Sequence, residues 1–110
     1  VRKAAEAAKR EGFSHARYAV STVEEAIKRT DGEEYTCAIA DPPRAGLASA
    51  ARPLAELDIP LVIYISCVPH SMAKDLPEFA RRGYELKRVI MFDMFPQSFH
   101  METLAVLSRH

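Results

Sequence analysis

Four segments of the chain combine helix-favouring residues or helical spacing of apolar positions with signals for a helix end. Gly12 is expected to end the first helix, and Ser21, with Glu24 three residues later, is the expected N-cap of the second. Pro53 is expected in the first turns of the third helix or at a second helix start, and Pro77 is expected to kink the fourth. The predicted helices cover residues 2–11, 22–29, 47–57 and 71–82.

Five β-prone segments lie between or after these helices and predict strands at Ala16–Val20, Tyr35–Ala40, Leu61–Ile65, Tyr84–Phe92 and about Glu102–Leu107. The third segment is apolar on both faces, as in a central parallel strand that helices cover on each side. Strands that alternate with helices predict an α/β fold with a mostly parallel sheet, and the last two strands, joined without a helix, predict an antiparallel pair. Ligands of such sheets bind beyond the carboxyl ends of the strands.

Composition narrows the class of protein. With 110 residues, 48% hydrophobic and 27% charged, the chain can bury one modest core, so it is expected to be one domain or part of one. Fifteen basic residues balance fifteen acidic ones, so the chain lacks the net positive charge typical of a complete nucleic-acid-binding protein. The two cysteines lack metal-site spacing and no apolar run reaches the roughly 18 residues of a membrane span, so we expect no metal, no membrane insertion and a cytoplasmic location.

Three polar segments fall at the carboxyl edge of the predicted sheet: Asp41–Gly46, Tyr64–Pro69 and Phe92–Glu102. Together they resemble the paired signatures of the S-adenosylmethionine-dependent RNA uracil-5 methyltransferases, and the resemblance extends over essentially the whole chain. It implies a partial Rossmann-like class I methyltransferase fold with an antiparallel C-terminal strand pair. Residues 1–110 would then form the C-terminal portion of a catalytic domain that acts on tRNA or rRNA. The family's glycine-rich cofactor loop and N-terminal RNA-binding domain do not appear in these residues, and the chain is expected to be a fragment that is inactive by itself.

The resemblance implies a catalytic pair. The C5 atom of uracil is too weakly nucleophilic to take a methyl group directly, so a thiolate must first add at C6, and Cys67 matches the family's nucleophile. Glu102 matches the base that removes the C5 proton. A helix beginning after Pro69 would favour the thiolate. The simpler alternatives are a buried cysteine at a strand end and an ordinary exposed carboxylate, while Cys37 matches no functional position and is read as a core residue.

The same resemblance assigns the remaining candidate positions. Asp41 matches a residue of the cofactor and substrate pocket, although an Asp that starts a turn before proline is an alternative. Thr22 stands where the family usually has an Asp that binds the adenine of the cofactor, and Val68 stands where it usually has Asn. Positions that match substrate-positioning or loop-positioning residues are Arg44, Ser66 and His100, and Arg44 and His100 could equally be solvated loop residues.

Other functions remain open beside this one. Cytosine-5 and amino-methyltransferases are disfavoured because Pro42-Pro43 is followed by Arg44, where those enzymes have a cysteine or an aromatic residue. A cysteine hydrolase using Cys67 and His70 has no further support. The main alternative is a non-enzymatic folding or dimerisation module derived from such a methyltransferase, with homodimers that form through an exposed sheet edge.

Overall fold

Within residues 1–30, 34–93 and 101–109, which a computed structural model describes, helices and strands follow one another in nearly the predicted order. None of the described helices is both long enough and apolar enough to span a bilayer. A 3-10 turn at Ala48–Ala50 leads directly into the third helix, where Pro53 is the third residue. The elements are α1 (Arg2–Arg10), α2 (Val23–Thr30), β1 (Cys37–Ala40), α3 (Ala51–Glu56), β2 (Leu61–Ser66), α4 (Pro69–Ala80), β3 (Tyr84–Phe92) and β4 (Glu102–Arg109).

The described strands form one mixed sheet in the order β1-β2-β4-β3. β1 and β2 are parallel, and β4 is antiparallel to both β2 and β3, so three of the four strands run in the same direction. This confirms the predicted α/β fold, with a mostly parallel sheet and an antiparallel pair at the C-terminal end. The strand that comes last along the chain, β4, lies inside the sheet rather than at its edge.

One face of the sheet packs against α3 and α4 and forms the core. Val62 and Tyr64 of β2 are fully buried on this face, beside Ala105 of β4. Phe79 of α4 contacts the ring of Tyr84 edge-to-face, with ring centroids 5.5 Å apart. We call this side the covered face, and its residues on the two central strands are Val62, Tyr64, Ser66, Thr103, Ala105 and Leu107.

The other side, here called the open face, corrects two predictions. Helices were expected on both sides of β2, but among the described residues Ile63 and Ile65 are only half-buried, and Ile39 of β1 is 69% exposed. Cys37 was read as a core residue and is exposed. Successive side chains of a strand point to opposite faces, and Cys37 pairs with Leu61 on the open side, whereas Ala38 pairs with the buried Val62.

The strand predicted at Ala16–Val20 does not form, and its residues are exposed. A strand requires a neighbour to satisfy its backbone hydrogen bonds. None of the four described strands pairs with this segment. Its local β preference is therefore not matched by a neighbouring strand among the described residues.

The N-cap of α2 is also shifted by one residue from its predicted position. The N–H of Glu25 donates to the hydroxyl of Thr22 at 3.2 Å, so Thr22 caps the helix. The hydroxyl of Ser21, the predicted cap, instead donates to the carbonyl of Thr22 at 3.0 Å. Ser21 and Thr22 are both favourable N-cap types, and the sequence spacing alone did not distinguish them.

Candidate active site

The strand register brings Asp41, Cys67 and Glu102 to one edge of the sheet. Cys67 directly follows Ser66, which is paired with Thr103, and Glu102 directly precedes Thr103. Cys67 and Glu102 therefore lie at the same end of the β2–β4 pair. Asp41 follows the end of the neighbouring parallel strand β1. The predicted meeting of these residues at the carboxyl edge is therefore observed.

Cys67 and Glu102 are more accessible than Ser66 and Thr103, the neighbouring residues inside the strands. Ser66 and Thr103 are each 4% exposed on the covered face. Glu102 precedes Thr103 in β4, so its side chain points to the open face. It is paired there with Phe92 and is half-buried. Cys67 is exposed and forms no disulfide. The buried-cysteine alternative for Cys67 is therefore wrong, and its thiol can meet a molecule that arrives at this edge.

Ser66 shapes the turn that holds Cys67. Its hydroxyl accepts the N–H of Val68 at 3.0 Å and donates to the carbonyl of Val68 at 2.8 Å. These two bonds close a short turn between β2 and α4 with Cys67 at its centre. α4 begins at Pro69, two residues after Cys67, with Val68 as an N-cap that makes no side-chain hydrogen bond.

The loop after β1 carries Asp41 and Arg44, which are both exposed. A hydrogen bond connects this loop to α4. The hydroxyl of Ser71 donates to the carbonyl of Arg44 at 2.6 Å, and the N–H of Gly46 donates to the carbonyl of Pro43 at 2.8 Å. The loop therefore has a defined backbone path, and the side chains of Asp41 and Arg44 are presented to solvent at the edge that also carries Cys67.

A buried carboxylate, Asp75 of α4, holds the end of this loop. It accepts the N–H of Leu47 at 2.7 Å and that of Ala48 at 3.1 Å, and the hydroxyl of Tyr64 donates to it. Burial, followed by the hydrogen bond to Asp75, raises the pKa of Tyr64 well above its usual value. Asp75 and Tyr64 were not predicted from the sequence, although a charge at Asp75, three residues after Met72 and four before Phe79 on the apolar face of α4, was a signal.

Two predicted residues stand apart from this edge or outside the described chain. Thr22 caps α2, and that helix approaches the loop region where the hydroxyl of Ser49 donates to Glu24 at 2.9 Å. His100 lies outside the described residues. Among the residues that the structure describes, no group of three or more His, Cys, Asp or Glu side chains could hold a metal ion.

The donors and acceptors at this edge suit only part of a nucleoside cofactor such as S-adenosylmethionine. The exposed carboxylate of Asp41 can accept hydrogen bonds from ligand hydroxyl or amino groups at the position where open α/β sheets bind ligands. The four glycines of the chain are far apart in sequence, so no G-x-G cradle is present in these 110 residues. The chain therefore offers one side of such a pocket.

This fold and this edge define a class I methyltransferase architecture. The structure of Pyrococcus abyssi tRNA (uracil-54, C5)-methyltransferase in complex with S-adenosyl-L-homocysteine is similar, with a TM-score of 0.78 and 26% identity over 96% of this chain and 25% of that one. Thermus thermophilus TrmN shares the fold, with a TM-score of 0.59 and 19% identity over 97% of this chain and 32% of that one.

The chain belongs to the tRNA (uracil-5-)-methyltransferase family, whose model matches residues 8–110. It is 37% identical to the 23S rRNA (uracil(1939)-C(5))-methyltransferase RlmD of Pseudomonas aeruginosa over 86% of this chain and 22% of that protein. It is 34% identical to RlmD of Aliivibrio salmonicida over 99% of this chain and 25% of that protein. The chain thus spans about a quarter or less of the length of these relatives.

Proposed function

We propose that this chain is the C-terminal portion of the catalytic domain of an RNA uracil-5 methyltransferase that acts on tRNA or rRNA, with S-adenosylmethionine as methyl donor. Membership of the family and the names of the relatives support the reaction. The observation that carries the proposal is the common position of Cys67 and Glu102 at one end of the β2–β4 pair. A reducing, cytoplasmic location suits a chain with two exposed free thiols.

In this mechanism Cys67, as thiolate, adds to C6 of the target uracil, and the electrons of the C5–C6 bond move to form an enolate with its nucleophilic carbon at C5. S-adenosylmethionine, when bound, would supply the methyl group: its bond to sulfur would break as the bond to C5 forms, with S-adenosylhomocysteine as the leaving group. Glu102 then takes the remaining C5 proton, the C5–C6 double bond re-forms, and the Cys67 thiolate leaves from C6. Each group thus acts on one of two adjacent ring carbons.

The sheet geometry supports the separate roles of Cys67 at C6 and Glu102 at C5. Neighbouring strands lie about 4.8 Å apart, so residues at matching ends of β2 and β4 are close enough for both to reach one base, at its adjacent C5 and C6 atoms. Cys67 is exposed and Glu102 is half-buried, which leaves the thiol open to the RNA and partly shields the carboxylate from water.

The other predicted residues take supporting parts in the proposal. Asp41 would accept hydrogen bonds from the cofactor, and Thr22 would lie on the cofactor side with its hydroxyl shared with the cap of α2. Ser66 would hold the turn around Cys67, and Arg44 would contact a carboxylate or a phosphate. His100 would orient the loop before β4.

A chimera tests the proposal: this chain replaces the matching segment of the Pseudomonas aeruginosa relative, and the product is incubated with 5-fluorouracil-containing rRNA and S-adenosylmethionine. Fluorine at C5 leaves no proton for the base, so a covalent protein–RNA adduct should accumulate and be visible as a shifted band. Cys67→Ala should remove the adduct, and Cys37→Ala should keep it. An adduct that persists in Cys67→Ala contradicts the nucleophile assignment.

Glu102 is tested on ordinary uracil RNA in the same chimera. Glu102→Gln cannot take the C5 proton after methyl transfer, so a methylated adduct should build up where the unchanged chimera shows none. Mass spectrometry of the trapped peptide would place the RNA on Cys67. Rapid turnover by Glu102→Gln without any adduct would assign the base elsewhere.

A second candidate function is a non-enzymatic dimerisation module, which the exposed side chains of the open face favour. Ile39 is 69% exposed and Phe92 is 44% exposed there, and β1 is an edge strand of the described sheet. The isolated chain is then expected to form homodimers and to be inactive. Light scattering on the purified chain distinguishes the cases, because a well-behaved monomer over a wide concentration range contradicts the module.

A further inference from the structure

Asp75 is a buried carboxylate whose donors come from two other segments of the chain. It is 4% exposed, and it accepts hydrogen bonds from the N–H groups of Leu47 and Ala48 and from the hydroxyl of Tyr64. A carboxylate is costly to bury unless donors satisfy it, and hydrogen bonds to a charged acceptor are stronger than neutral ones. The charge of Asp75 therefore stabilises the arrangement in which both segments donate to it, relative to arrangements in which these hydrogen bonds are broken.

The three segments joined at Asp75 all border the candidate active site. Tyr64 lies in β2, three residues before Cys67, and Asp75 lies in the helix that follows Cys67. Leu47 and Ala48 end the loop that begins at Asp41. The bond network therefore ties the cofactor-side loop to the strand and helix that hold the nucleophile.

Gly46 shows how closely the loop approaches this pair. Its φ is +81°, and a Cβ atom there would lie 2.7 Å from Asp75 Oδ2 and 3.1 Å from the hydroxyl of Tyr64. Glycine is the residue that adopts such a φ without strain and leaves this space free. The backbone of the loop thus rests directly on the two buried polar groups.

We propose that Asp75 and Tyr64 are positioning residues of the methyl-transfer reaction, which set the loop of Asp41 and Arg44 at a fixed distance from Cys67. Both are buried, and they act through the backbone at Leu47. The inference rests on the proposed function, because the loop is assigned to the cofactor side there.

The position of Cys67 should be independent of this pair. β2 is held on both sides by β1 and β4, and the turn around Cys67 is closed by Ser66. Loss of the hydrogen bonds to the loop should therefore raise the KM for the cofactor more than the KM for RNA. A purely structural role would lower the fraction of folded protein and leave both Michaelis constants of the remaining active enzyme unchanged.

The experiment uses the chimera with Tyr64→Phe, which deletes one hydroxyl and keeps the ring. The matched control is Tyr84→Phe, which deletes a buried hydroxyl that donates to the carbonyl of Ile59 at 2.6 Å, away from the loop. Loss of one hydrogen bond should raise the KM for S-adenosylmethionine on the order of fivefold in Tyr64→Phe. It should raise the KM for RNA less, because Arg44 is the one residue of this loop that the proposal assigns to the RNA. Tyr84→Phe should lower the melting temperature similarly and change neither KM. Equal behaviour of the two variants would overturn the proposal.

Asp75 is tested by comparing Asp75→Ala with Asp75→Asn in the chimera. The asparagine keeps one acceptor for the loop amides, so it should recover part of the cofactor KM that the alanine loses. Equal values of this KM for the two variants would overturn the positioning role of the carboxylate.

A measurement on the 110-residue chain alone separates this inference from the proposed function. In amide proton NMR spectra, hydrogen bonds to a carboxylate should shift the Leu47 and Ala48 signals downfield, and Asp75→Asn should move both upfield. Unchanged signals would overturn the network whether or not the chimera methylates RNA. If the NMR signals show the network while the chimera forms no Cys67 adduct, that result would contradict the proposed function, and with it the role of Asp75 and Tyr64 as positioning residues of that reaction.

Discussion

Cys67 and Glu102 lie at the same end of the antiparallel pair β2–β4, each one residue beyond the paired Ser66 and Thr103. They are 35 positions apart in the printed sequence. The inserted strand β4 therefore brings a carboxylate beside a thiol that follows a different strand. Substitutions that move either strand end should affect the two groups together.

Val68→Asn is expected to stabilise the chain by about 1 kcal/mol, because Asn is a favourable N-cap and Val68 caps α4 without a side-chain hydrogen bond. Urea unfolding followed by circular dichroism measures the change in the free energy of unfolding. Val68→Ala is the control, since it removes the same half-buried side chain and adds no cap. A loss of stability in Val68→Asn comparable to that of Val68→Ala would show that the cap does not form.

Gly46→Ala should destabilise the chain more than Gly83→Ala. Both glycines have positive φ, +81° and +88°, which costs an alanine about 1 kcal/mol. A Cβ atom at Gly83 meets only Arg109 Nε at 3.9 Å, whereas at Gly46 it would lie 2.7 Å from Asp75 Oδ2. We expect a total loss of roughly 2–4 kcal/mol for Gly46→Ala, measured by thermal unfolding. Equal losses would mean that the loop moves away freely.

Stability should fall at alkaline pH because of two tyrosines. Burial raises the pKa of Tyr84, and burial together with the Asp75 hydrogen bond raises that of Tyr64. Since the folded pKa values lie above the unfolded value of about 10, their contribution to stability is complete below pH 10. It is lost as the pH rises above 10, where only the unfolded state releases these protons.

The measurement is the urea midpoint of the chain between pH 8 and pH 11.5. The decline above pH 10 should be shallower in Tyr64→Phe and Tyr84→Phe, because each removes one of the ionising groups. Tyr18→Phe is the control, since Tyr18 is 47% exposed. An identical slope in all four proteins would contradict the assignment.

Both thiols of the isolated chain should react with an alkylating reagent under native conditions, because Cys37 and Cys67 are exposed. In the chimera, Cys37 is expected to become protected when further parts of the domain cover the open face. Cys67 should remain reactive until RNA is added. Mass spectrometry of alkylated peptides gives the rate at each site, and an unreactive Cys37 in the isolated monomer would contradict its exposure.

Local patterns predicted the elements, but not every neighbour of each element. The bounds of β3 agree with the prediction because a β-prone run lies between Gly83, which ends the preceding helix, and Asp93. The strand at Ala16–Val20 had a similar local preference and did not form, since pairing depends on strands elsewhere. Cys37 was misplaced for the same reason: the periodicity shows that a strand has two faces, but not which face is covered.

The candidate site, too, could be predicted only in part from the sequence. Strand-end positions could be inferred for Asp41 and Cys67, because parallel strands end at one edge. The partners of Asp75 could not be inferred, since they are backbone amides 27 and 28 positions away that the loop geometry brings close. The catalytic roles of Cys67 and Glu102 remain predictions for the adduct experiments.

The central position of β4 has a consequence for how this sheet is assembled during synthesis. Leu61 pairs with Ser108, so the middle of the sheet stays incomplete until the ribosome has released nearly all of the described residues. Pairings so distant in sequence form slowly and leave hydrophobic strand edges exposed in the meantime. Glu102 reaches its place only when β4 docks, so a nascent chain with β2 already folded would present the thiol of Cys67 without its partner carboxylate.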